Sequence, residues 1–250
     1  MVNAVTVDII ILSNAKNENL RSVTEQSIST LLDSENSEKL LFNIIVLESN
    51  SRTTEYQFPN TQTIYPKQPF GYNKFMNMGL RLTSNEYVCL CNNDLIFHTN
   101  WASELLKAFQ ADSNLQSASP ICSKLNQPLY PKKDSGFFYG YNIGNEVSGW
   151  CIFLKRSLLD QIGYLDERFK FWFSDNDYAN TLKKHGFKHA LVTSSVVDHM
   201  ISKTLISENE KTKEMLMYGD LHYYEYKWIH HNLLLYFFRE TKGRLKKILF

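Results

Sequence analysis

Residues 87–98 read YVCLCNNDLIFH, an apolar strand signal that runs straight into two asparagines and an aspartate. A buried strand that pushes polar side chains past its carboxyl edge is how an open α/β sheet builds a ligand site. Asn and Asp also favour turns. The flanking chain has to decide between a site and a plain turn.

Two earlier runs repeat the pattern. Residues 5–13 (VTVDIIILS) are β-branched and apolar and end at Ser13 and Asn14, and residues 41–47 (LFNIIVL) end at Glu48, Ser49, Asn50 and Ser51. Between them Leu20, Val23, Ile28, Leu31 and Leu32 recur at helical spacing, so the segment reads as βαβ. A third short strand is expected at 63–65. Pro66 and Pro69 then lead to Gly71 and a helix over 72–83, with Phe75, Met78 and Leu82 inward and Asn77 and Gly79 on other faces. Strand ends and Gly71 thus gather into one polar rim.

Downstream the pattern predicts a helix at 101–109, a strand at 118–122 and a long loop over 126–146, which is rich in Pro, Gly, Lys and Tyr. A strand at 149–155 and a short helix closed by Gly163 follow. An aromatic connection leads into a helix from about Ser174 to His185 with Gly186 as its cap. The last predicted strand, 189–197, ends in Asp198 and His199.

The chain of 250 residues and 29.2 kDa allows one large α/β domain, alone or with a small appendage. Lys and Arg number 27 against 26 Asp and Glu, which leaves no general field for nucleic acid. The four cysteines show no CxxC spacing, so reduced buried thiols are expected rather than a disulfide frame or a zinc site. Cys89 and Cys91 would share one strand face. MVNAVTVDIIIL carries no basic leader, and the apolar run 233–238 is too short to cross a bilayer, so a soluble cytoplasmic protein is expected.

Taken in order, these features are Ser13 and Asn14, Glu48, Gly71, NND, a GW strand before Lys155 and Arg156, GYLDERFKFWFSDNDYANTLKKHGFK, and a final DH. The order resembles the family 2 glycosyltransferases of GT-A fold, particularly the rhamnosyltransferase-like branch that decorates bacterial polysaccharides. The resemblance covers roughly residues 5–200 and is most specific over 163–187.

It implies a GT-A domain over residues 1–200, with a Rossmann-like, mostly parallel sheet flanked by helices; the last fifty residues, helix-prone and heavy in Tyr, His and Leu, read as a helical C-terminal extension over 201–250. It further implies a nucleotide-sugar donor, a UDP-sugar first of all, and a saccharide or lipid-linked acceptor. Glu48 matches the acidic residue that holds the pyrimidine; a solvated strand end is the plainer reading. Ser13, Asn14, Gly71 and Asn77 would add to the donor pocket.

The family's DxD motif falls on Asn92, Asn93 and Asp94, so its first Asp is Asn here. Asp94 becomes the expected ligand of Mn2+ or Mg2+, with Asn92 and Asn93 towards ribose or sugar. His199 stands where a histidine often completes the metal site, although a lone histidine is commonly structural. Asp175 matches the base that takes the acceptor proton in an inverting transfer, and Asp177 is the reserve. Ser174 or Asp175 could equally cap the helix. Trp150, Trp172 and Phe173 could stack on sugars or pack in the core.

Neither GxGxxG nor GxxxxGK[ST] occurs, which disfavours dinucleotide and P-loop enzymes. A non-catalytic nucleotide-sugar or glycan-binding module and a retaining transferase stay open on the same scaffold. The basic, aromatic tail fits peripheral contact with an anionic membrane as well as ordinary helix packing.

Overall fold

The structure, a computed structural model, describes residues 4–50, 55–125, 136–200 and 210–249. β1 (Val5–Ser13), α1 (Glu18–Leu32) and β2 (Leu40–Glu48) form the expected βαβ unit, with Ser13 level with Glu48. Asn17 caps α1 by accepting from Leu20 N at 3.0 Å. β3 (Gln62–Ile64) extends the sheet beyond β2. α2 (Tyr72–Arg81) then returns the chain to β4 (Tyr87–Asn92), which lies parallel to β1 on its other side.

The remaining elements are β5 (Leu95–Phe97), α3 (Trp101–Ala111), β6 (Leu115–Ile121), β7 (Phe137–Tyr139), β8 (Cys151–Lys155), α4 (Ser157–Ile162), α5 (Ser174–His185) and β9 (Lys188–His199). The strand order is β3-β2-β1-β4-β8-β6-β9-β5, with β7 also on β9. β8 runs against both β4 and β6, and β5 and β7 run against β9. The other strands share one direction, which makes the sheet mixed and mostly parallel.

Period-two alternation sends successive residues to opposite layers. Val7, Ile9 and Ile11 of β1 face the core under α1 and α3, whereas Ile10 packs with Phe75, Met76 and Leu80 of α2. The closeness of that second layer depends on Gly79: a Cβ there would stand 2.5 Å from Ile10 Cγ2. This contact corrects the expected face of α2. Met76 and Leu80 turn inward with Asn77 and Gly79, while Leu82 is 52% exposed.

Two strands escaped the sequence pattern. β5 is the three-residue apolar stretch LIF just past the polar turn that ends β4, and β7 sits inside the expected loop 126–146, where the aromatic run FFY adds to the edge of β9. Residues 126–135 of that loop lie outside the described residues.

Away from the rim, the fully buried Asp8 carboxylate ties the sheet's other end together. It accepts from Arg156 Nη2 at 2.8 Å, Asn43 Nδ2 at 2.7 Å, and Asn85 N and Nδ2 at 2.8 and 2.7 Å. Removing one partner of a buried ion pair costs ~3–5 kcal/mol. Arg156→Ala is therefore expected to lower unfolding stability by about 3 kcal/mol in a urea titration. Arg81→Ala, whose partner Glu167 has a 40% exposed side chain, should change it by less than about 1 kcal/mol.

Candidate functional site

The carboxyl ends of β1, β2 and β4 meet in one rim, with Leu12 level with Asn92 and Ser13 level with Glu48. Glu48 is 2% exposed, and its carboxylate accepts from Ala15 N at 3.1 and 3.2 Å and from Asn50 N at 2.7 Å. Asn50 Nδ2 in turn donates to Ala15 O at 3.0 Å. Glu48 thereby orders both loops that border the rim.

Ser13 Oγ lies 3.1 Å from Thr24 Oγ1, and Asn93 Nδ2 donates to the same hydroxyl at 2.8 Å. Both side chains are buried against α1. Asn77 is engaged elsewhere: its Nδ2 donates to Leu165 O and Glu167 Oε1 at 2.8 and 3.0 Å, and its Oδ1 accepts from Leu165 N at 3.0 Å. Asn14, half-buried, and Asn92, whose Oδ1 receives Tyr72 OH at 3.4 Å, stand at the rim itself. Gly71 begins α2 beside them, where Tyr72 N donates to Lys170 O at 2.6 Å.

The turn after β4 brings two distant positions together. β5 pairs antiparallel with the last residues of β9, Leu95 opposite His199, and Met200 N donates to Asp94 O at 2.9 Å. Asp94 is 3% exposed, and its Oδ1 lies 3.2 Å from His199 Nε2. The approach is close but lacks hydrogen-bond geometry, so the buried Nε2 has no hydrogen-bond partner. Trp150 stacks on the His199 ring at 5.6 Å and 16°.

A buried nitrogen left unpaired beside a carboxylate is the arrangement expected of two ligands to one cation. One oxygen and one imidazole nitrogen suit a divalent ion that keeps its other positions for ligand oxygens and water. Asp198 is occupied otherwise. It accepts from Ser123 N and Oγ at 2.8 and 2.6 Å and pairs with His98 Nε2 at 2.9 Å.

Asp175 stands on the first turn of α5. The residue before the helix is Phe173, left-handed at φ 61°, and no side chain caps the end. The expected capping role of Ser174 or Asp175 therefore does not hold. Ser174 Oγ donates back to Phe171 O at 3.4 Å, and Asp175 Oδ1 accepts from Asn176 N at 2.9 Å.

Asp175 also presses against the turn before β8. A Cβ on Gly149 would stand 2.6 Å from Asp175 Oδ2, so the glycine beside Trp150 is what admits the carboxylate. Burial raises the Asp175 carboxyl above the ordinary value, against the Asn176 hydrogen bond that lowers it. The neighbouring Tyr72 hydroxyl is raised by its own burial and then by the Asp175 charge. A carboxylate with raised proton affinity suits proton acceptance.

The C-terminal segment contributes what the sequence pattern missed. α6 (Glu210–Glu225), a π-helical turn (Tyr226–His230) and α7 (Leu233–Leu249) follow β9. Asp220 on α6 accepts from the successive amides of Lys170, Phe171 and Trp172, at 3.1, 2.8 and 2.9 Å. Lys227 bridges Asp166 and Asp177 at 2.9 and 2.6 Å, and Trp228 Nε1 donates to Asp177 at 2.7 Å. Burial alone would raise the Asp166 carboxyl, but Arg168 and Lys227 pull it well down. Asp177 thus ties α5 to the extension. Phe173 stacks on Tyr224 at 5.0 Å. A buried loop with consecutive unpaired amides demands an acceptor somewhere, but nothing local identifies Asp220 as that acceptor.

Residues 10–163 match the family model for Glycosyl transferase family 2. No curated protein matches the chain by sequence. Among solved structures, the fold resembles GalNAc-T7 crystallised with UDP, GalNAc and Mn2+, with TM-score 0.63 and 12% identity over 80% of this chain and 44% of that one. It also resembles a Drosophila β1,4-galactosyltransferase 7 mutant in complex with manganese, UDP-Gal and xylobiose, with TM-score 0.53 and 12% identity over 86% and 80% of the two chains. The chain spans less than half the length of the first. At such identity the likeness is one of fold.

The raised Asp175 carboxyl has a thermodynamic consequence. Between its unfolded and folded pKa the native state binds the extra proton, so stability falls as pH rises through that window. Asp175→Asn is expected to melt higher than the wild type at neutral pH. The gap should close once the pH drops below the ordinary carboxylate range, and a variant less stable than the wild type at neutral pH would contradict the burial argument.

Proposed function

The chain belongs to Glycosyl transferase family 2, and on that premise we propose that it moves a sugar from a nucleotide-diphospho-sugar, a UDP-sugar first, to a saccharide or lipid-linked acceptor. The observation that carries this reading is the buried Asp94–His199 pair at the carboxyl rim, 3.2 Å apart with Nε2 unpaired. Mn2+ or Mg2+ held there would supply charge neutralisation for the diphosphate leaving group.

In this reading Asn14, Gly71 and Asn92 border the donor, and Glu48 holds the edge against which the pyrimidine lies. Ser13, Asn77 and Asn93 act from behind, by holding α1 and the 165–167 turn in place. Trp150 keeps His199 oriented and offers its ring edge to the sugar. Asp175 takes the acceptor hydroxyl proton as that oxygen attacks the anomeric carbon, with inversion. The rhamnosyltransferase-like branch rests on residues 163–187, which begin where the matched stretch ends, and with it goes a place in polysaccharide biosynthesis. Residues 1–200 form the transferase domain in this division and 201–250 its extension.

The test separates the two acidic residues. Asp94→Ala should abolish Mn2+-dependent binding of UDP or a UDP-sugar in calorimetry. Asp175→Asn should leave that binding within about twofold and slow transfer by roughly 10²–10⁴. Normal transfer by Asp175→Asn would sink the base assignment. Metal-dependent donor binding with neither transfer nor donor hydrolysis would point to a binding module instead.

We also place the protein in the cytoplasm, at the inner face of a membrane that carries the acceptor. Ile229, Leu234, Phe237 and Phe238 are 55–83% exposed. The sequence after them holds Arg239, Lys242, Arg244, Lys246 and Lys247. An exposed apolar face followed by cations fits the boundary of an anionic bilayer. Among the described residues no helix is long and apolar enough to cross one. The wild type should sediment with phosphatidylglycerol vesicles and not with phosphatidylcholine vesicles. Leu234→Asp/Phe238→Asp should reduce that binding at least several-fold, and equal binding by the variant would remove the membrane reading.

A further inference from the structure

Directly beneath the rim lies a group of side chains that sugar transfer does not use. Cys91 precedes Asn92 on β4, Cys151 follows Trp150 at the start of β8, and the two face each other across the antiparallel pair. Cys89 lies two residues earlier on the same face of β4. All three are fully buried. Cys89 Sγ is 3.4 Å from Cys91 Sγ and 3.6 Å from Cys151 Sγ, and the three ligand atoms lie within 4.8 Å of one another.

Those separations have a simple geometric consequence. The in-plane point equidistant from the three sulfurs is at most about 2.4 Å from each, which is close to the ~2.3 Å thiolate bond of a bound metal. Among the described residues no histidine or carboxylate joins the group. Among the described histidines, cysteines and carboxylates the donor set is three sulfurs. Structural zinc is closed by four ligands, and hard cations prefer oxygen. Soft thiolate sets select ions such as Cu(I).

We propose that Cys89, Cys91 and Cys151 form a binding site for one soft, thiophilic cation of the Cu(I) type, separate from the hard-cation position at Asp94 and His199. The bound ion cross-links β4 to β8, the two strands that deliver Asn92–Asp94 and Trp150 to the rim. Binding replaces S–H bonds with S–metal bonds and releases the protons to solvent, with no change of oxidation state. The core gives a folded chain no open route to the sulfurs, and loading belongs to folding.

The test uses the full chain, produced in copper-supplemented cells and purified under reducing conditions with EDTA to strip hard cations. Elemental analysis and native mass spectrometry should find one copper per wild-type chain, and the loaded protein should melt higher than the copper-free form. Cys151→Ala should retain less than a tenth as much copper. Cys122→Ala, which removes the buried thiol outside the group, should retain it all. Should Cys151→Ala fail to fold, Cys89→Ser, closer in size to the native residue, provides the same comparison. As a second reading, chain refolded with Cd2+ should show the thiolate-to-metal absorption band only when the three cysteines are intact. Wild type that retains less than a tenth of an equivalent of copper and shows no Cd2+ band would overturn the site and leave three thiols packed as small apolar groups. Equal copper retention in wild type and Cys151→Ala would overturn it as well.

Discussion

The short antiparallel pairing of β5 with the end of β9 is the constraint on which the rest of the site depends. It sets Leu95 opposite His199 and closes the Met200 N to Asp94 O hydrogen bond. Positions 94 and 199 are far apart in the chain, and only this pairing places a carboxylate oxygen beside an imidazole nitrogen. The Trp150 ring then limits how His199 can turn. A carboxylate and an imidazole held by backbone pairing on one side and by stacking on the other are preorganised, which is what the proposed cation site needs.

The polar residues around that pair divide their work. Several side chains that look available for a ligand are occupied by the protein's own backbone: Glu48 by the amides of Ala15 and Asn50, Asn77 by the 165–167 turn, and Asp220 by three amides in a row. Buried loops carry amides that must be paired. Each of these acceptors satisfies such a demand and, by doing so, fixes a loop that borders the cleft. The C-terminal extension therefore belongs to the site's construction. Through Asp220, Lys227 and Tyr224 it holds the connection that ends in Asp175.

Legibility followed sequence distance. The βαβ start, the polar rim and the Gly186 cap are written in periods and breakers that act over a few residues. The inward face of α2 was misread because Met78 and Leu82 match a helical stripe, while the deciding contact is Gly79 against Ile10 on another element. β7 was hidden by the Pro, Gly and Lys around three aromatic residues. Neither Ser174 nor Asp175 caps α5, because the position before the helix is held by Phe173, left-handed and stacked on Tyr224.

By itself the sequence determined the class of sheet, the succession of its main strands along the chain and the residues that end them, because strand and helix periods are local properties of the chain. Through the family resemblance it also singled out Asp94, Asp175 and His199 as candidates near those ends. Only the tertiary structure decided how Asp94 approaches His199, that Gly149 makes room for Asp175, and that three cysteines converge under the rim. Each of these follows from pairing across the sheet, β5 on β9 and β8 against β4. Such pairing is set by the packing of the whole core and leaves no period in the sequence from which it could be read.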